Sequence, residues 1–276
     1  MENLIDNKSD KLFSTIYPNP AGETVFLLHG GPGFPSGFSV VADNLRNNFQ
    51  VILFHQRGTK KSPCKSKNYS MKAYLSDMEA VRKFYEIDKF HLWGHSWGGL
   101  YAQIYAEKYP ENLLSLFLCS PGSGTNLEWK QTEKEVMQFN KSKCTFWEWT
   151  KMGMNNLLGI FGCDKAYRRL FTQVMKNYNS GFIETNNFGI DFDDVKAAPI
   201  NKTRPEIIKY PLLKKLENPG FKITVIYGDR DIYKSSQDFV IKRYTTAEVI
   251  TIPNSGHLPW LHNLPEYIRI LTAHFE

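Results

Sequence analysis

Nowhere in this chain do apolar residues run unbroken for anything near the ~20 residues that a bilayer-spanning helix needs, so no membrane partner is expected. The first residues, Met1-Glu2-Asn3-Leu4-Ile5-Asp6-Asn7, lack the basic stretch and following apolar run of a secretory leader, and a cytoplasmic location is the expectation. Cysteine is sparse. Four thiols, at 64, 119, 144 and 163, are far apart and include no CxxC pair, so neither a zinc ribbon nor a dithiol redox centre is expected, and the thiols are read as reduced. No metal ligand set and no cofactor-binding motif emerges. Charge of one sign is not concentrated either. Lys and Arg number 34 against 28 Asp and Glu, and the densest basic stretch, Lys60-Lys61 with Lys65 and Lys67, is broken by Pro63 and reads as a solvated loop. That argues against a nucleic-acid partner, which would want basic residues gathered on one face. Internal repeats and low-complexity segments are missing as well.

What the 276 residues do contain is a core's worth of apolar side chains, 42% of the total, in short packets. Thr24–Leu28, Gln50–Phe54, Phe90–Trp93, Leu113–Cys119, Phe221–Tyr227 and Glu248–Ile252 are apolar runs, each bounded by turn residues. Such runs read as strands buried on both faces, as in a parallel sheet. Helical spacing lies between them, at Met71–Glu86, Leu100–Tyr109, Phe239–Tyr244 and Pro265–Phe275. The alternation predicts an α/β fold with a mostly parallel central sheet and flanking helices. Phe13–Tyr17 is expected as an antiparallel edge strand. Between about Gly124 and Arg204 the rhythm breaks into helix-like segments (Trp129–Phe139, Trp147–Leu158, Lys165–Tyr178) and an acidic stretch. Residues 1–123 and 205–276 are therefore expected to form the core domain, and 124–204 a helical lid insertion, a length of insert that is usually functional.

One segment carries chemistry on its own. Gly94-His95-Ser96-Trp97-Gly98-Gly99 matches G-x-S-x-G between an apolar run and a helical one. A nucleophile on so tight a strand-to-helix turn needs small residues two before and two after it. Serine needs a base, which a histidine held by a carboxylate supplies. Tyr227-Gly228-Asp229-Arg230-Asp231 and Asn254-Ser255-Gly256-His257 follow the two late strands in the chain order Ser, Asp, His. None of the six other histidines combines a post-strand loop with that order. Loop length favours Asp231 as the acid, with Asp229 as the alternative. The N–H of Trp97, next after the serine, is expected in an oxyanion hole, opposite the glycine-rich loop His29-Gly30-Gly31-Pro32-Gly33.

Together with Gln56-Arg57-Gly58, these segments resemble the α/β-hydrolase superfamily, and within it most the proline iminopeptidase group. The resemblance covers nearly the whole chain outside the insertion. It implies a catalytic triad of Ser96, Asp231 and His257. It also implies that Gly31 lends its N–H to the oxyanion hole, that no cofactor or metal is needed, and that the substrate is a small molecule, a short peptide losing its N-terminal residue. Departures from that group fall at His55, Lys60 and His95, where it usually has Asp, Gly and Gly. Gly-His-Ser-x-Gly-Gly is shared with esterases and lactonases, so a carboxylesterase or lactonase acting on small esters is the alternative. A non-catalytic binding protein on the same fold is a second alternative, with no need of an intact triad. The peptidases hold the substrate's amine with acidic lid residues. Glu184, Asp191, Asp193 and Asp194 are the candidates here, and no motif maps any of them.

Overall fold

The computed structural model describes residues 1–34, 38–182 and 191–275. Eight strands form one sheet: β1 (Glu2–Asn7), β2 (Asp10–Tyr17), β3 (Thr24–Leu28), β4 (Gln50–Phe54), β5 (Phe90–His95), β6 (Leu113–Cys119), β7 (Lys222–Gly228) and β8 (Glu248–Ile252). Their order in space is β1-β2-β4-β3-β5-β6-β7-β8. β1 and β2 run antiparallel to their neighbours, and the six strands from β4 to β8 are parallel. The apolar runs read from the sequence are these six strands. Those at the centre are buried along their whole length, β3 and β5 without an exception.

Phe13–Tyr17 is antiparallel, as expected, but it is not the edge. β2 starts earlier, at Asp10, and β1 covers its outer side in a register pairing Glu2 with Thr15 and Asn7 with Asp10. β1 buries only Ile5, so it has no apolar run to announce it. A strand that closes an edge needs one seated side chain and a backbone ladder, and polar residues suffice for the rest.

Crossovers run through α1 (Ser39–Leu45), α2 (Met71–Phe84), α3 (Trp97–Lys108) and α8 (Gln237–Arg243), and the chain ends in α9 (Pro259–His262) and α10 (Leu264–Phe275). α2 starts where the Ser70 side chain accepts from the Ala73 N–H and so caps the first turn. Between β6 and β7 lie α4 (Asn126–Lys143), α5 (Phe146–Ile160), α6 (Asp164–Asn179) and α7 (Ala197–Lys209). The expected boundary at 204/205 falls inside α7, which carries Pro205 within it and buries Ile207 in the core.

β3 leads outward to β4, and β5 leads the opposite way to β6, while β3 and β5 lie side by side with Leu28 level with Gly94. The connections therefore diverge at the carboxyl ends of β3 and β5. An open parallel sheet leaves a crevice at such a point, and the loop after β3 and the turn after β5 are the two glycine-rich segments singled out above.

Candidate active site

Ser96 sits between β5 and α3 with φ +54° and ψ −118°, a conformation that costs a non-glycine residue about 1–3 kcal/mol. The turn is tight enough to exclude side chains around it. A Cβ on Gly94 would lie 2.5 Å from the Gly98 carbonyl oxygen, and one on Gly98 would fall on the carbonyl oxygens of Leu28 and His29. Glycine at both places is a packing requirement of this turn. The strain is held by the backbone: the Ser96 N–H donates to the Cys119 carbonyl at 3.2 Å, and the Ser96 carbonyl accepts from Gly122 at 2.8 Å and Leu100 at 3.1 Å.

His257 Nε2 lies 3.1 Å from Ser96 Oγ, and its Nδ1 lies 3.1 Å from Asp231 Oδ1. The structure thus brings the three residues read from the sequence into one chain of hydrogen bonds, with Asp231 and His257 almost completely buried. Burial by itself would raise the Asp231 pKa. The His257 ring beside it, the Ser120 hydroxyl at 2.6 Å from Oδ2 and the Tyr233 N–H at 3.2 Å from Oδ1 more than reverse that, and the carboxyl is held below its ordinary value. Asp229, the alternative acid, points elsewhere. It is partly exposed and accepts the N–H groups of Asn254 and Ser255 at 3.0 Å each, which ties down the loop that carries His257.

The oxyanion candidates lie on either side of Ser96. Gly31 has φ +50°, and its neighbour Gly30 packs so close that a Cβ there would sit 3.3 Å from Ser96 Cβ. Trp97 opens α3, so its N–H has no partner within the helix. Gln56 joins the two segments. Its Nε2 donates to the His29 carbonyl at 2.8 Å, its Oε1 accepts from the Trp97 indole at 2.6 Å, and its N–H donates to His29 Nε2 at 3.0 Å. Burial takes the His29 pKa down to about 3, so the ring stays neutral and can accept that bond. Arg57, next in the chain, is buried against Asp77 (2.6 and 2.7 Å) and donates to the Asn68 carbonyl of the following loop at 2.6 Å.

Four residues that the sequence reading passed over as parts of the site touch it directly. Ser120 holds the far oxygen of Asp231. The Tyr233 hydroxyl lies 3.3 Å from Ser96 Oγ, with its ring edge-on to His257 at 5.0 Å. Tyr178 meets the His257 ring from the insertion side at 5.2 Å. His95, inside the G-x-S-x-G segment, donates from Nε2 to the His257 carbonyl at 2.9 Å while its Nδ1 is unpartnered. Burial, and then the His257 ring, keep its pKa well below the usual histidine range. Two residues after the acid is a position from which Tyr233 could have been suspected; the others carry no such signal.

Above the serine is a cavity of about 90 Å³. Gly30, Gly31, Ser96 and His257 form its floor. Phe171, Val174, Met175 and Tyr178, the i, i+3, i+4, i+7 face of α6, form one wall, and Phe34, Leu258 and Leu261 line it elsewhere. Among the described residues the lining includes no carboxylate. Asp193 pairs with Arg168 at 3.0 Å and Asp194 with Lys60 at 3.4 Å, while Asp191 caps the N–H of Asp193. Glu184 lies outside the described residues.

Comparison with known proteins agrees with the architecture. The model of the alpha/beta hydrolase fold family matches residues 23–262. This chain belongs to that family. It is 29% identical over 140 residues to a proline iminopeptidase of Heyndrickxia coagulans, covering 50% of this chain and 48% of that one. A second match is 24% identical over 271 residues to a probable 1-acylglycerol-3-phosphate O-acyltransferase of Oryza sativa subsp. japonica, covering 87% of this chain and 64% of that one. In both, the match spans less than two thirds of the relative's own length. Among solved structures, a proline iminopeptidase of Mycobacterium smegmatis superposes with a TM-score of 0.67 at 15% identity, covering 100% of this chain and 97% of that one. A carboxylesterase structure from Nitrososphaera gargenis superposes with 0.70 at 15% identity, covering 98% and 97%. At such identity the superpositions speak for the fold alone.

Proposed function

We propose that this α/β-hydrolase chain is a serine hydrolase that works by acyl transfer on small carboxylic esters with a short, uncharged acyl group. Ser96 Oγ attacks the carbonyl carbon while His257 Nε2 takes its proton, and Asp231 keeps the imidazole oriented and stabilises its cationic form. The Gly31 and Trp97 N–H groups receive the oxyanion, each worth about 3 kcal/mol of barrier in comparable sites. His257 then returns the proton to the leaving alcohol, and water releases the acyl group by the same route in reverse. The observation that carries this reading is the Ser96–His257–Asp231 chain, at 3.1 Å and 3.1 Å, on the floor of an apolar cavity. The cavity of about 90 Å³ has room for a short acyl chain, and burying each of its methylenes against α6 would contribute about 0.8 kcal/mol.

The matches to proline iminopeptidases favour a second reading, an aminopeptidase releasing an N-terminal residue from small peptides. It needs an anion to receive the substrate's ammonium group, and the described lid carboxylates Asp191, Asp193 and Asp194 are engaged as set out above. The test is kcat/KM for a short-chain aryl ester beside a prolyl anilide with a free amine and its N-acetylated form. The proposal expects the ester to be the best substrate and Ser96→Ala to lower its turnover by about a million-fold. Cleavage of the free-amine anilide alone, lost on acetylation, would replace it with the aminopeptidase. Failure of all three together with no labelling by a fluorophosphonate would leave a non-catalytic binding protein.

A further inference from the structure

α5 is amphipathic the wrong way round for a helix on a globular surface. Its inward side buries Met152 and Gly159, and the missing side chain of Gly159 lets the Tyr167 ring of α6 lie against the backbone. Its outward side is apolar. At 100° per residue Trp147, Met154, Leu158 and the C-terminal Phe161 share one stripe, with Phe146 and Leu157 beside it, and all six are exposed. Phe146, Trp147 and Phe161 are 74%, 70% and 82% exposed. At about 150–250 Å² per aromatic side chain, these three alone leave on the order of 450 Å² of ring and methylene surface in water. That already equals the largest apolar patch of a typical monomer. The helix is not weakly formed: Thr145 and Glu148 close a reciprocal capping box at its start.

The charge around this face is net positive. From Lys141 to Lys176 the chain carries seven Lys and Arg against two acids, Glu148 and Asp164, a net of +5. Glu148 is occupied in the capping box and Asp164 pairs with Lys196 at 3.0 Å. Lys141 and Lys143 precede α5, Lys151 borders the Trp147 stripe, and Lys165, Arg169 and Lys176 lie on α6, which packs alongside; all six are exposed. We propose that the outward face of α5, with its cationic surround, docks this protein onto anionic phospholipid membrane surfaces. An apolar face rich in Trp, Phe and Leu, bordered by Lys and Arg, is the arrangement of a helix that lies in the membrane interface, and each basic residue near an anionic leaflet adds to the attraction. A second copy of the chain fits less well, because a twofold contact through this face would bring two cationic surrounds together. Lying on a bilayer is also distinct from crossing one: among the described residues no helix is long and apolar enough to cross. α6 is the shared element, with one side against α5 and another lining the cavity over Ser96, so docking would place the cavity wall one helix away from the lipid.

The experiment is flotation of the full chain with vesicles of equimolar phosphatidylcholine and phosphatidylglycerol, and with phosphatidylcholine alone. The mixed vesicles are expected to carry the protein and the neutral ones not, with binding lost between about 0.05 M and 0.5 M salt. Replacing both Trp147→Ser and Phe161→Ser should weaken binding by about tenfold or more while the melting temperature and circular dichroism stay those of the native chain. Wild-type protein that ignores the mixed vesicles, or a natively folded double variant that still floats equally, overturns the proposal. So does a concentration-dependent dimer, abolished by the same substitutions, in a protein that binds neither vesicle; the face would then belong to a second copy. None of these readouts depends on hydrolysis, so they stand or fall apart from the activity proposed above.

Discussion

Replacing Asp231 by Asn separates the two aspartates that follow β7. Asp231 receives three donors on two oxygens: the His257 ring N–H (3.1 Å) and the Tyr233 N–H (3.2 Å) on Oδ1, and the Ser120 hydroxyl (2.6 Å) on Oδ2. Asparagine has one acceptor oxygen and one NH2 for the same three. If the NH2 turns toward His257, it opposes the Tyr233 N–H and forces the ring proton onto Nε2, which removes the base that faces Ser96. A comparable tautomer error costs about 10⁴ in turnover, or ~5.5 kcal/mol. If the NH2 turns toward Ser120 instead, that hydroxyl can rotate to accept it, and the ring keeps its tautomer but loses the negative charge that steadies the imidazolium. The loss is then smaller, and we expect at least about 10³-fold overall. Asp229→Asn keeps one acceptor for Asn254 or Ser255 at a partly exposed site, a change worth about 1 kcal/mol, hence less than about tenfold. The assay is kcat/KM for a short aryl ester, with melting temperatures to confirm folding. An Asp231→Asn protein within tenfold of wild type, or an Asp229→Asn protein as damaged as it, would refute the assignment of the acid.

Two further outcomes follow from the site and the core. In Tyr233→Phe the ring keeps its place on His257 and only the hydroxyl at 3.3 Å from Ser96 Oγ is lost. That hydroxyl holds Ser96 Oγ in place before the imidazole, so its loss should lower kcat about fivefold, near 1 kcal/mol, with KM unchanged; a rise in KM alone would make Tyr233 a substrate contact instead. On acidification, His29 and His274, both brought from 6.5 to about 3 by burial, stay neutral in the fold while the unfolded chain takes up their protons. Stability is therefore lost as pH falls below about 6.5, roughly 2 kcal/mol for each ring between pH 7 and pH 5. His55 and His262, taken down to about 4, act in the same direction, and Asp77, pushed up to about 6 by burial, offsets part of it. Urea melts at pH 7, 6 and 5 read this directly, and a midpoint constant over that range would contradict it.

What could be read without coordinates was whatever a local stretch must satisfy by itself. The strand over Thr24–Leu28 was legible because a strand buried on both faces has to be an unbroken apolar run, and the turn at Ser96 because its neighbours two places away meet backbone on every side. β1 was not legible, since an edge strand with one seated residue makes no such demand. The same distinction runs through the site. Ser96, Asp231 and His257 lie together in space as their order along the chain predicted, because each ends or follows a strand whose neighbours are set by the sheet. Ser120 reaches Asp231 only because β6 lies against β7, where its N–H meets the Ile226 carbonyl at 2.8 Å. His95 supports His257 only because the two loops converge above β5. Both roles depend on register between strands, which no single segment encodes. The insertion is the extreme case. Periodicity disclosed that α5 is a helix, but a period of 3.6 is the same whether the apolar stripe faces in or out. Only packing decides it, and here the inner side goes to Met152 and Gly159, which leaves Trp147 and Phe161 facing outward with lysines around them.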